Sequence, residues 1–484
     1  MAKDIETDGG ILEHPQARLL LADAEVTEQD VRGCRRDLQR FLGRYLPKFY
    51  RREQQDNAVI VVQGLLSGLE RKTAEPIARE HGVHRKPIQA FVGHGAWDDE
   101  AVMAEVRGHV GQVLGDPQAA LVLDGSAFAK KGTHSCGVGR QWCGRLGKVE
   151  NCQTGVFLSY ATDRGQAPLD RRLYLPRDWA ADPLRRKECH VPPEVRFAEH
   201  WRMGLDMLKA HGRALPHGWI VADDEFGRVS AFREQLRHWS ERYVLDVPCN
   251  TLVRDLQARR PPRKKAGRGR RKAVPFVRAD AWAQRQPAAC WRKMTMKDGE
   301  KGPIVVWAVD RSVQTKQEGR VGAEERLVVI RRAAPGQADA EMSYHVSNAK
   351  ASVPLRRVVQ GHSRRHQVEE MLEHGKGEAG LGHYEVRSWV GWHHHMTLSL
   401  LALWFLCLER LEVGEKKAGG DGAADSSHHD SAAASSVSDV GRDRRGSERG
   451  SAAQRGIADL PLVGVGPALS APARLERYRV ERLQ

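Results

Sequence analysis

From residue 27 to 113, apolar residues recur at three- and four-residue intervals in LQRFLGRYL, VVQGLLSGLERK and AVMAEVRGHVGQVL, and this spacing predicts amphipathic helices. Within that run, AEPIAREHGVHRKPIQAF places Ile77 and Ala78, a turn at Gly82, then Ile88 and Phe91. That fits two short helices crossing at a tight corner. The second carries Arg85, Lys86 and Gln89, which face DNA if the pair is a helix-turn-helix; Pro87 fits only in its first turn. A small bundle that merely packs has the same pattern. From 118 the period changes. QAALVLD, TGVFLSYATD and APLDRRLYL read as strands, residues 194 to 211 as a helix, GWIVAD as a buried strand, FREQLRHW as a helix and RYVLDVP as a strand.

Three strands, a helix, then alternating strand and helix is the order of an RNase H-like α/β fold, with helices on both faces of a sheet. This predicts a core whose first part spans 118–248, behind a helical domain at 27–113 that is a DNA-binding domain if its tight corner is a helix-turn-helix. Between 249 and 350 the character shifts again. ARRPPRKKAGRGRRK at 258–272 holds nine basic residues and no acidic one, so it predicts a flexible arm that adds phosphate affinity and salt sensitivity but little specificity. WRKMTM, IVVWAVD, ERLVVIRR and MSYHVSN then alternate and predict a β-rich insertion between the fourth core strand and a late helix. Residues 351–412 complete the core with that helix and WHHHMTLSLLALWFLCLERLE. From 413 to 484 Gly, Ala, Ser, Asp and Arg dominate, with no aromatic residue between Phe405 and Tyr478. Such a tail cannot bury enough apolar surface to order itself.

The 484 residues allow two or three domains. A formal charge of +15 and a pI near 9.6 favour a polyanionic partner, most simply nucleic acid. Eight Cys occur without a C-x-x-C pair, and the spacing of Cys136, Cys143 and Cys152 fits no standard metal site, so reduced thiols are the expectation. The N-terminus lacks a signal-peptide core. The longest apolar run, Met396 to Leu408, is too short for the roughly 18 residues of a membrane span. The chain reads as cytoplasmic.

HSRRHQVEEMLEHGKGE, residues 362 to 378, forms one helix on which His362, Arg365, Glu369 and Lys376 share a stripe, flanked by apolar Val368, Met371 and Leu372. An exposed helix with an ordinary i, i+4 ion pair would look the same. The spacing Arg, three residues, Glu, six residues, Lys resembles the signature around the last carboxylate of bacterial insertion-sequence DDE transposases. RRHQVEEMLEHGKGEAGLGHYEVRSWVGW resembles in particular the insertion sequence four superfamily and its seven-zero-one-type branch. The signature begins with Tyr where this chain has His362, and Trp usually follows the Arg where it has His366. Asp124, closing LVLD, is followed by text like the block after that family's first catalytic Asp, although an Asp ending a strand is commonly a turn former. The pattern Ala-Asp, two residues, an aromatic, then Gly aligns with Ala222, Asp223, Phe226 and Gly227, which selects Asp223 over Asp224.

The resemblance implies a DNA transposase with Asp124, Asp223 and Glu369 as catalytic carboxylates. Three such groups at one point repel unless cations neutralise them. Two Mg²⁺ ions about 3.5 to 4 Å apart would do so, with Mn²⁺ as substitute. Asp124 would bridge both, with Asp223 on one and Glu369 on the other. Arg365 and Lys376 would hold DNA phosphates, joined by His362, Lys130, Lys131 and Arg140. Related insertions stack an aromatic on an extruded base, for which Trp291 and Trp307 are candidates, a core position being the plainer role. The implied partners are double-stranded DNA, as terminal inverted repeats and target, and a second copy of the chain, in a nucleoid-associated setting. A structure-directed nuclease and an inactive DNA-binding relic or repressor are the alternatives. Gly375, Gly377 and Gly380 fit G-x-G-x-x-G but follow a helix, so they read as its terminator. His393, His394 and His395 fan out around a helix and cannot share one ion.

Overall fold

The computed structural model describes residues 28–261, 273–299, 302–335 and 341–420. Five helices come first: α1 (Glu28–Tyr45), α2 (Arg52–Leu66), α3 (Ala74–Glu80), α4 (Arg85–His94) and α5 (Asp99–Leu114). The Val83 N–H donates to the Ala78 carbonyl, and Gly82 takes the left-handed conformation at φ +62° that turns the chain between α3 and α4. Pro87 stands in the first turn of α4, where its missing N–H costs nothing. Asp98 caps α5 by accepting from the Glu100 and Ala101 N–H groups.

The core follows as β1 (Ala120–Ala129), β2 (Gly139–Cys143), β3 (Lys148–Ala161), β4 (Gln166–Leu173), α6 (His200–His211), β5 (Trp219–Ala222), α7 (Ser230–His238) and β6 (Tyr243–Asp246). The sequence pattern missed β2, and it started α6 too early, since 194–199 is irregular. Strands β5 and β6 run parallel to β1, with Leu123 opposite Ala222 and Ala222 opposite Leu245. The next residue on each chain segment is an aspartate: Asp124, Asp223 and Asp246. Three aspartates therefore stand level where the parallel pairing of three adjacent strands stops, on the carboxyl side on which open α/β sheets bind ligands.

β7 (Leu252–Asp255) and β8 (Val277–Arg278), which the pattern did not predict, precede the four strands expected of the insertion: β9 (Arg292–Gly299), β10 (Gly302–Gln317), β11 (Arg320–Arg331) and β12 (Met342–Ser347). They extend the core sheet, because β12 pairs with β6, Val346 opposite Leu245. One sheet of 12 strands results, in the order β2-β3-β1-β5-β6-β12-β11-β10-β7-β8, with β4 on β3 and β9 on β10. Alternation along β11 sends Val328 and Ile330 to the main core, and Leu327 and Val329 to a second cluster with Val253, Trp282 and Trp291. Residues 262–272 of the basic arm lie outside the described residues.

Two long helices close the fold, α8 (Leu355–Gly377) and α9 (Trp389–Gly420). Helix α8 starts after Pro354, earlier than its charged stripe suggested. A Cβ at Gly361 would meet the Trp219 ring at 2.9 Å, so only Gly lets α8 lie this close to β5. Helix α9 runs past the expected boundary at 412 to Gly420; residues 421–484 of the tail are not described. Trp392, Met396, Leu400 and Trp404 of α9 are fully buried. One apolar cluster runs from Phe41 through the sheet to Phe405, so the N-terminal helices share the core of the catalytic region. Buried Arg171 of β4 pairs with Asp99 of α5 across the same junction. No described helix is long and apolar enough to cross a membrane, and all eight cysteines are free thiols.

Glu325 of β11 is fully buried, and Arg233 and Arg237 of α7 pair with it at 3.0 and 3.1 Å, beside the Tyr243 hydroxyl. This network fastens the insertion to the core. Glu325→Gln leaves the buried Arg233 without its counter-charge and is expected to cost about 3–5 kcal/mol in denaturant unfolding. Exposed Glu324→Gln is expected to stay within about 0.5 kcal/mol. Equal effects of the two would contradict this role for Glu325.

Candidate active site

Asp124 lies within β1, not at its end as the LVLD pattern suggested, because β1 continues beside β3 to Ala129. Its Oδ1 accepts from the Gly125 N–H at 2.9 Å. Asp223 follows β5 and caps a one-turn helix, Asp224–Gly227, accepting from the Glu225 N–H at 3.0 Å. Asp224 turns to Arg228 at 2.7 Å. A cap, and not strand alternation, separates these two neighbours. Glu225 in turn meets His200 at 2.6 Å.

Helix α8 brings its charged stripe across this edge. Arg365 reaches Glu369 at 2.6 Å and Asp246 at 3.3 Å, and its charge is also felt by Asp124 and Asp223. Two carboxylates thus pair with this guanidinium, and two more lie within reach of its charge. The oxygens of Asp124, Asp223 and Glu369 do not all come within 4.8 Å of one another. A cleft of about 300 Å³ opens at Asp223, lined also by Asp224, Asp246, Ser343, Tyr344 and Arg365 but not by Asp124 or Glu369.

Burial, with the neighbouring charge of Asp223, pushes Asp124 up to about 7 against the pull of Arg365. Burial likewise lifts Asp223 to about 6, where Arg365 opposes and Glu225 and Asp224 reinforce. For Glu369 burial is outweighed by His366 and Arg365, and its pKa falls. His366 meets Glu369 at 3.6 Å and Glu370 at 3.2 Å, and these acids raise it to about 9. Two carboxyls whose pKa values are raised by burial and by neighbouring like charge, with a third at the rim, are hard oxygen donors of the kind that suit divalent cations.

Asp246 is the site residue that the sequence reading passed over. Its Oδ1 meets His345 Nδ1 at 2.8 Å and His362 Nε2 at 3.0 Å, and despite burial these partners hold it well below the usual carboxylate range. The signal was present: YVLD repeats the apolar-strand-then-Asp pattern of LVLD and IVAD. His362 is thereby turned inward, away from the phosphate contact expected of it.

The other expected DNA contacts are scattered. Arg85, Lys86 and Gln89 are exposed on α4, with Arg85 also 3.2 Å from Glu75. Lys131 and Arg140 are exposed, and Arg140 donates to the Val149 carbonyl at 3.3 Å. Lys130 is half-buried over the Tyr384 ring and donates to its carbonyl at 3.1 Å, and burial lowers its pKa to about 8. Lys376 lies over the Phe128 ring at 5.5 Å. Trp291 is 8% exposed, inside the second apolar cluster and facing Arg331, so stacking on a base would require that cluster to open. Trp307 is half-buried beside Lys293. The three consecutive histidines point apart, to the carbonyls of Trp389, Trp97 and Gly380. Leu381 donates to the Gly375 carbonyl and Gly380 has φ +62°, so the glycines end α8.

The family model for DDE superfamily endonucleases matches residues 44–303. A probable transposase for insertion sequence element IS701 from Microchaete diplosiphon is 32% identical over 195 residues, 39% of this chain and 48% of the relative. The matched stretch thus spans about half the length of that relative.

Asp124 ionises near 3.8 when unfolded and near 7 when folded. Between those values the folded chain keeps a proton that the unfolded chain has released, so this group costs stability as pH rises through the window. Above about 7 the cost is complete. In EDTA, Asp124→Asn is therefore expected to stabilise the fold by on the order of 1–3 kcal/mol at pH 8 and by less at pH 4, as read from denaturant unfolding. A gain independent of pH would contradict the crowding of these carboxylates.

Proposed function

This chain belongs to the DDE superfamily of endonucleases, and on that premise we propose that it is a DNA transposase that cuts at the ends of its own mobile element and joins them to target DNA. The observation that carries the reading is the row of aspartates level with the end of the parallel pairing, faced by Glu369 across Arg365. The transposase name of the insertion-sequence relative supports it.

In this reading Asp124, Asp223 and Glu369 hold two divalent cations, Mg²⁺ or in its place Mn²⁺. When bound, the cations supply positive charge to the attacking and leaving oxygens of a phosphodiester. The carboxylates define where the scissile phosphate sits, at the mouth of the cleft. Arg365, already paired with Glu369, orients that carboxylate and offers its remaining donors to DNA. Water attacks phosphorus first and the P–O3′ bond breaks, leaving a 3′-hydroxyl and a 5′-phosphate. That 3′-hydroxyl then attacks a target phosphodiester, forming one P–O bond as another breaks. No covalent bond to the protein is needed. Exposed Arg85, Lys86 and Gln89 on α4 would read the element's end, and the basic arm would add phosphate affinity. Two ends must be paired before joining, so the working form is a dimer on DNA.

A second reading, a DNA-binding relic or repressor, is favoured by one contact. His366 stands where the family usually has Trp, and it holds Glu369 as an ion pair, competing with any metal for that carboxylate.

Excision from a donor plasmid carrying the element's flanking ends, with Mg²⁺ or Mn²⁺, separates the two. Wild type is expected to excise. Asp124→Asn, Asp223→Asn and Glu369→Gln are each expected to lose on the order of 10³-fold or more while still binding the ends. Full activity in any variant removes that residue from the mechanism, and binding without cutting by wild type selects the relic. Lys86→Ala with Gln89→Ala is expected to weaken end binding by about 1–3 kcal/mol in a mobility-shift assay, with the melting temperature unchanged. Unaltered binding would leave α3 and α4 as packing elements only.

A further inference from the structure

Asp246 is the third aspartate of the row, yet its surroundings differ from those of Asp124 and Asp223. Both its oxygens are engaged. Oδ1 is held by His345 and His362 at 2.8 and 3.0 Å, and Oδ2 faces Arg365 Nη1 at 3.3 Å. His345 is fully buried, its Nε2 meets the Ser343 hydroxyl at 2.8 Å, and its ring lies 3.9 Å from that of His362. The carboxylate is thus fixed from behind by β12 and α8 and presents one oxygen forward. Arg365 bridges the gap, with Nη1 on Asp246 and Nη2 on Glu369.

We propose that Asp246 is a positioning residue that, together with Glu369, holds Arg365 to one side, so that the guanidinium does not close on Asp124 and Asp223, where divalent cations would sit. This inference rests on reading Asp124, Asp223 and Glu369 as the metal-holding set. The physical argument is one of shared charge. A guanidinium with two paired carboxylates and two more within reach distributes itself by distance and geometry, and a dication entering the same space repels it. Asp246, ionised and held by two imidazoles, gives Arg365 a fixed acceptor outside the metal-holding set. With Asp246 neutral, the carboxylates left to Arg365 are the ones the cations need. His362, at the position where the family has Tyr, takes part in this support together with His345.

The test is Mn²⁺ binding to the full chain, by calorimetry and by the electron paramagnetic resonance signal of free Mn²⁺, with melting in EDTA confirming that each variant is folded. Asp246→Asn is expected to weaken Mn²⁺ binding by about tenfold, and Asp246→Glu, which keeps the charge, to restore much of it. In an Arg365→Gln background, Asp246→Asn is expected to change the affinity by less than about twofold, because the residue acts through Arg365. Unchanged Mn²⁺ affinity in Asp246→Asn overturns the proposal, as does an equal loss with and without Arg365. Mn²⁺ binding that survives Asp124→Asn but is lost in His345→Gln also overturns it, since Asp246, His345 and His362 would then be ligands themselves. Wild type that binds Mn²⁺ through Asp124 but never cuts DNA contradicts the transposase reading and leaves the role of Asp246 standing. Wild type that binds no Mn²⁺ overturns both.

Discussion

One guanidinium paired with Asp246 and Glu369, beside the buried Asp124 and Asp223, is the constraint on which the rest of the structure depends. The parallel pairing of β1, β5 and β6 fixes Asp124, Asp223 and Asp246 at one level, and α8 lays Glu369 and Arg365 across them. Burial first, and neighbouring like charge second, lift Asp124 and Asp223, while Glu369 and Asp246, with nearer cationic or hydrogen-bonding partners, fall despite burial. In the proposed reading the site is costly without cations, and that cost would make cation binding favourable.

Holding such a site requires a stiff frame. Helix α8 is seated through the missing side chain of Gly361 on Trp219, and α9, buried along most of its described surface, wedges between the N-terminal helices and the sheet. The insertion is hydrogen-bonded strand by strand onto β6 and fastened by Glu325 between two arginines. Because β12 carries His345, insertion and active site are linked directly: whatever moves that part of the sheet moves the support of Asp246. The N-terminal helices are tied in through Arg171 and the stack of His394 on Trp97, rings 3.9 Å apart. DNA held on α4 would therefore pull on the helix that backs the catalytic sheet.

Much of this was legible in the residues. Strands ending in Asp, the three-plus-four spacing of the late helix and the turn at Gly82 all report local geometry, which short-range sequence patterns encode well. What escaped was long-range. Nothing in MSYHVSN says that its strand will pair with YVLD, so the meeting of His345, His362 and Asp246, more than a hundred residues apart at the extreme, was invisible. The alternation in IVVWAVD and ERLVVIRR gave strands but not the sheet they join. Trp291 illustrates a different limit. A Trp in a basic, β-rich segment suits an exposed stacking platform or a core equally, and the second apolar cluster decides for the core. The plain turn-former explanation of Asp124 fails for a tertiary reason, since β3 carries the strand past it to Ala129.

The most direct measurement is the anomalous signal of Mn²⁺ soaked into crystals of the full chain. Mn²⁺ between Asp124, Asp223 and Glu369, with Arg365 drawn onto Asp246, is the expected result. Mn²⁺ seated instead on Asp246, His345 and His362, with Arg365 still on Glu369, would contradict the assignment of the catalytic centre.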